Sequence, residues 1–148
     1  MTTSARQLFA FIRGGHGHGE MPSFPEAIEG PLPKKPNVYT DGGLKHPESN
    51  LWCLGGFGIW WPSGLSDGPN KQLHKFTHQQ AIDEGVLMWN SLPGLGCSST
   101  RTELAAVIMA CIHPQPLHIA SDSKAMIDKA QMLIRHAITW ELSSRTSH

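Results

Sequence analysis

The chain has no excess of charge of either sign. Twelve Lys plus Arg balance twelve Asp plus Glu, giving a formal net charge of zero with neutral histidine. The overall basic surplus that marks many nucleic-acid binders is missing, so attraction to a polyanion would need a local basic patch, and the sequence displays none. Cysteine is scarce. Cys53, Cys97 and Cys111 are odd in number and lack metal-ligand spacing, which fits reduced thiols in an intracellular protein of nucleus or cytoplasm. No run approaches the roughly 18 apolar residues of a membrane span, and no membrane association is expected. No internal repeat is present. Acid is absent from the first nineteen residues, which hold Arg6 and Arg13. An organelle transit peptide has that character, but this segment is short and turns glycine-rich.

What is present amounts to one domain and a tail: 148 residues, 39% hydrophobic. Residues 1–36 read as a Gly/Pro-rich N-terminal arm or linker. Gln7 to Ile12 is a short apolar patch, Gly14 to Gly19 alternates glycine with histidine, and Pro22 to Pro36 holds five prolines. His16 and His18 could catch a metal, but His–Gly alternation in an arm is more often incidental.

The folded part is expected over 37–148. Val38 to Thr40 reads as a short buried strand. Leu54 to Trp61 reads as a second, with Phe57, Ile59 and Trp61 on one face and Pro62 as its stop. Residues 63–84 read as a loop excursion, and Val86 to Leu92 as a third strand closed by Pro93-Gly94. These three would form an antiparallel meander. Thr100 then opens a helix with Leu104, Val107, Ile108 and Cys111 at helical spacing, ended by Pro114 and Pro116. Leu117 to Ala120 is a short apolar strand fit for the middle of a sheet. Ser123 caps a second helix with an apolar stripe of Ala125, Met126, Ala130, Leu133, Ile134 and Ala137. The fold class is α/β: a mixed sheet with packed helices.

Three segments each deliver a carboxylate: Val38-Tyr39-Thr40-Asp41-Gly42-Gly43, Ser99-Thr100-Arg101-Thr102-Glu103-Leu104 and His118-Ile119-Ala120-Ser121-Asp122-Ser123. Each has an ordinary explanation. Asp41-Gly42 is a common turn dipeptide. Thr100-Arg101-Thr102-Glu103 is a capping box, in which Glu103 reaches back to its own cap. Asp122 is a helix-start residue whose charge suits the helix N-terminus. Together they read differently. Asp41 and Asp122 end strands that could lie side by side, and Glu103 sits in the first turn of the helix between them, 62 residues after one and 19 before the other. Carboxylates from separate elements can converge into an oxygen-only site suited to hard cations such as Mg²⁺.

The order strand-Asp, helix-Glu, strand-Asp resembles type-1 ribonuclease H, including the ribonuclease H domains of retroelement reverse transcriptases. Arg101-Thr102-Glu103-Leu104-Ala105-Ala106, Ile119-Ala120-Ser121-Asp122-Ser123 and the strand Gly55-Gly56-Phe57-Gly58-Ile59-Trp60 carry the likeness, over about residues 37 to 137. The resemblance implies a ribonuclease H-like mixed sheet, a three-stranded meander plus a parallel strand. It implies a metal-dependent endonuclease that hydrolyses the RNA strand of RNA–DNA hybrids. Asp41, Glu103 and Asp122 would be its catalytic and metal-binding residues, with two Mg²⁺ (or Mn²⁺). Gly42, Gly43, Ser99 and Thr100 would contact substrate, although family members often carry Asn where Ser99 and Thr100 stand.

The family continues with a further strand and helices bearing a His and a fourth Asp, for which this sequence has no matching position. Asp128 and Glu141 do not substitute for the fourth, since Asp128 should face solvent in mid-helix. A partial domain is therefore expected, with an incomplete two-metal site. A reverse transcriptase or a complementing C-terminal segment would be its partner. The competing expectations are an inactive retroelement-derived nucleic-acid-binding fragment and a plain α/β interaction domain.

Overall fold

A computed structural model describes residues 24, 25, 28, 30–49, 53–62, 77–92 and 97–145, with side chains to His136. The expectations for Gln7 to Ile12, His16, His18 and Pro93-Gly94 lie outside the described residues. The elements are β1 (Val38–Lys45), β2 (Leu54–Trp61), β3 (His78–Ile82), β4 (Gly85–Leu92), α1 (Ser99–Ala110), β5 (Ile119–Ala120) and α2 (Lys124–Arg145). The fold is α/β, with a five-stranded mixed sheet in the order β3-β4-β2-β1-β5. Among the described strands only β1 and β5 run parallel; the other pairings are antiparallel.

Register sorts the side chains by face. One face holds the rows Val38–Trp61–Val86, Thr40–Ile59–Met88 and Gly42–Phe57–Asn90. Val38, Ile59 and Met88 are fully enclosed there, with Phe57 and Trp61 nearly so. α1 supplies the other half of this core through Ala105, Ala106, Ile108, Met109 and Ala110. Each large apolar side chain removed from water contributes about 2 kcal/mol before conformational entropy is charged. α1 is buried nearly all round, Arg101 to Ala106 included. The expected stripe of Leu104, Val107, Ile108 and Cys111 is therefore only part of its buried surface.

Several boundaries differ from the sequence expectations. β1 does not stop at Thr40. It pairs with β2 as far as Lys45↔Leu54, so Asp41 lies inside the strand and Asp41-Gly42 is not a turn. The expected excursion contains β3, a polar strand held by backbone pairing to β4. The two-residue connection Asp83-Glu84 places Asp83 at φ 51, a left-handed conformation that Asp tolerates better than most residues. Residues 63–76 are outside the described set.

The cap of α1 is Ser98, not Thr100. Ser98 Oγ accepts from the Arg101 amide at 3.2 Å, so no Thr100–Glu103 capping box forms and Glu103 falls in the second turn. The helix ends at Ala110, where the Ile112 and His113 amides bond to the Met109 and Ala110 carbonyls. Pro114 follows, and proline disfavours the helical conformation in the residue before it. In α2, Ser123 caps as expected, its hydroxyl accepting from the Met126 amide at 3.3 Å. Met126 is buried and Ala130 and Leu133 half-buried, whereas Ala125 and Ile134 are exposed. The stripe is narrower than its composition suggests.

β5 covers two residues of the expected four and lies at an edge of the sheet, not in its middle. Asn37 fastens it. The Asn37 amide donates to the His118 carbonyl, its Nδ2 to the Pro116 carbonyl at 3.0 Å, and its Oδ1 accepts from the His118 amide at 2.8 Å. His118 Nδ1 donates to the Pro33 carbonyl at 3.1 Å, and Phe24 packs half-buried on the core. Among the described residues, no helix is long and apolar enough to cross a membrane.

Candidate metal centre

The centre lies where β5 gives out. Its register against β1 is Val38↔Ile119 and Tyr39↔Ala120. Two further steps along each chain bring Asp41 beside Asp122. Beyond Ala120 no described strand flanks that side of β1, which leaves room for a third group from α1. Asp41, Glu103 and Asp122 each offer a carboxylate oxygen, and these oxygens all lie within 4.8 Å of one another.

Glu103 reaches this point because α1 rests directly on β1. A Cβ on Gly42 would stand 2.5 Å from the Glu103 amide nitrogen, closer than any side chain permits, so glycine is required there. Glu103 is 4% exposed, while Asp41 and Asp122 are open to solvent. The Gly42 amide hydrogen-bonds to the Glu103 carboxylate, and Glu103 Oε2 is buried without a partner. Burial pushes the Glu103 carboxyl up from its ordinary value. The Gly42 hydrogen bond opposes this, and the charges of Asp41 and Asp122 add to the rise.

Such a group can hold a metal ion. The donors are all carboxylate oxygens, which suits a hard cation. A bound cation would satisfy the lone Oε2 and offset the mutual repulsion that otherwise burdens the fold.

The four residues expected at a substrate differ in placement. Gly43 is exposed, with open space where a Cβ would be. Gly42 is taken up by α1, both at its α-carbon and at its amide. Ser99 is exposed on the first turn of α1 and Thr100 half-buried beside it. Asp128 is exposed and engaged by Lys124 at 2.6 Å, and Glu141 lies beyond the described side chains. Sequence reasoning missed Ser98 and Thr102. Ser98-Ser99-Thr100 offers three successive capping residues, and pairing by spacing to Glu103 selected the wrong one. The signal for Thr102 was helical spacing: Ala105, Ala106 and Met109 follow it by three, four and seven residues, which puts it on the buried face.

Comparison with protein-family models, with curated proteins and with solved structures finds no match to this chain.

Proposed function

We propose that this chain is a metal-dependent nuclease domain of the ribonuclease H type, directed at the RNA strand of RNA–DNA hybrids and weak when alone. One observation carries the proposal: carboxylates from β1, α1 and the β5–α2 junction meet within 4.8 Å, one of them buried with an unpartnered oxygen. Neither ordinary role remains for Asp41 or Glu103, since Asp41-Gly42 is paired strand and the helix cap is Ser98.

Asp41, Glu103 and Asp122 would hold Mg²⁺, or Mn²⁺ in its place. When bound, divalent ions in such a site supply an activated water and charge stabilisation for the leaving oxygen of a phosphodiester. The protein's own part is positional. Gly42 fixes the Glu103 carboxylate through its amide. Burial withholds Glu103 from bulk water, and exposed Asp41 and Asp122 leave the approach to a phosphate open. Gly43, Ser99 and Thr100 are the candidates for recognition of RNA 2′-hydroxyls, by resemblance and by their position on β1 and the first turn of α1. Among the described residues the cluster has three carboxylates, and Asp128 is bound to Lys124 instead of completing it, which is why weak activity is expected of this chain alone.

The test is cleavage of a labelled RNA–DNA hybrid with Mg²⁺ or Mn²⁺. The chain alone should cleave very slowly. Joining it to the C-terminal half of an intact ribonuclease H should restore cleavage, and Asp122→Asn in that chimera should abolish it. A folded chimera that binds metal and never cleaves refutes the nuclease proposal and leaves a binding fragment.

A further inference from the structure

Thr102 has no part in the chemistry above, yet it is 0% exposed and stands beside Glu103. Its side chain fills the space left by glycines on two adjacent strands. A Cβ on Gly42 of β1 would lie 2.6 Å from Thr102 Oγ1, and one on Gly55 of β2 would lie 2.8 Å from Thr102 Cγ2. Real Cβ atoms essentially never approach so closely. With α1 where it is, both positions must be glycine. The Thr102 hydroxyl donates to the Ser99 carbonyl at 2.7 Å, which fixes the rotamer and leaves the methyl against Gly55. Both glycines sit on the face under α1, in neighbouring pairs of rows, Gly42↔Phe57 and Leu44↔Gly55.

We infer that Thr102 is the positioning residue of the carboxylate centre: seated between Gly42 and Gly55, it sets the height of α1 over the sheet and hence where the Glu103 carboxylate stands relative to Asp41 and Asp122. Its functional meaning rests on the metal-centre reading above. Ser98 does not share the role, since it is exposed and its hydroxyl serves the Arg101 amide. The apolar residues from Ala105 onward anchor the middle of the helix, beyond the carboxylate. A site of this kind loses function when its supporting contacts loosen by about 1 Å.

Gly55→Ala tests this in the full chain. The new methyl would meet Thr102 Cγ2 at 2.8 Å and Cys97 Sγ at 3.0 Å, so something must shift, and the first turns of α1 are expected to rise. Mn²⁺ affinity by calorimetry should fall by about tenfold or more, as when supporting residues of metal ligands are altered. The Gly42 amide should lose its hydrogen-bonded NMR shift and exchange faster. Adding Thr102→Ser removes Cγ2 and keeps the hydroxyl, and should recover most of the affinity and the Gly42 shift. A purely structural Thr102 would move the melting temperature and neither of those readouts. Folded Gly55→Ala with wild-type Mn²⁺ affinity and an unchanged Gly42 amide overturns the inference. If wild type binds no Mn²⁺, the metal-centre proposal fails, while the Gly42 amide still decides whether Thr102 positions Glu103. Should Gly55→Ala not fold, Thr102→Ala opens the same contact without a clash and is read by the same two measurements, with the same overturning result.

Discussion

Glu103→Gln should stabilise the metal-free protein and abolish its response to metal. Glutamine keeps an oxygen to accept from the Gly42 amide and replaces the unpartnered Oε2 with donors facing two carboxylates. At 4.8 Å, the bound within which these oxygens lie, two unit charges repel by about 0.9 kcal/mol in water and about 3.5 kcal/mol at an effective dielectric of 20. Asp41 and Asp122 are exposed, so the lower figure governs, and two such pairs give about 2 kcal/mol. For a domain of this size that corresponds to a rise of roughly 10 °C in melting temperature. The gain depends on pH with a definite sign. The folded pKa of Glu103 lies above its ordinary value of 4.5, so between the two the folded state holds the extra proton. Wild-type stability therefore falls as pH rises through that window and recovers as pH drops below it. The advantage of Glu103→Gln should be larger at pH 7 than at pH 4 and shrink on acidification. Mg²⁺ at a hundredfold over its dissociation constant adds about 2.7 kcal/mol to wild type alone, so the order of stabilities inverts. The assay is unfolding followed by circular dichroism in EDTA and in MgCl₂, at pH 7 and pH 4. A Glu103→Gln chain that is less stable than wild type in EDTA at pH 7, or equally stabilised by Mg²⁺, refutes the reasoning.

Asp41→Asn should likewise lose the metal-induced rise in melting temperature; the same rise in both proteins would locate the ion elsewhere. Ser98→Ala should cost about 1 kcal/mol through loss of the α1 cap, seen as a lower urea midpoint. Thr100→Ala, at a half-buried position that caps nothing, should cost less than Ser98→Ala, and the opposite ranking would restore the capping box.

How far the sequence revealed the fold varied with the physics of each segment. β2 and the Ser123 cap were legible because apolar alternation and a side-chain cap are local properties. β3 was not, because His78 to Ile82 has four exposed residues in five and owes its conformation to pairing with β4. The extension of β1 through Gly42, Gly43 and Leu44 was hidden by the two glycines, which read as a break, although Gly42 serves as the landing for α1. Two carboxylates were placed for the wrong local reason: Asp41 as a strand end and Glu103 as a first-turn residue. Their convergence was nevertheless legible, because it depends on the order of elements and not on the cap. The notch holding Thr102 depends on two strands at once and could not be read from either.

The parallel β1–β5 pairing also governs when the centre can exist. The β3–β4 hairpin closes across two residues, but Asn37 and His118 are 81 residues apart in the chain. Long-range closures carry their entropy cost before their contacts return it and so form late. The meander can assemble with Asp41 already in place and no partner for it. Asp122 arrives only with β5, so its share of the repulsion among the carboxylates is added when that long-range pairing closes. A divalent ion present during refolding should therefore slow unfolding more than it speeds folding, since what it binds is not yet built at the transition state.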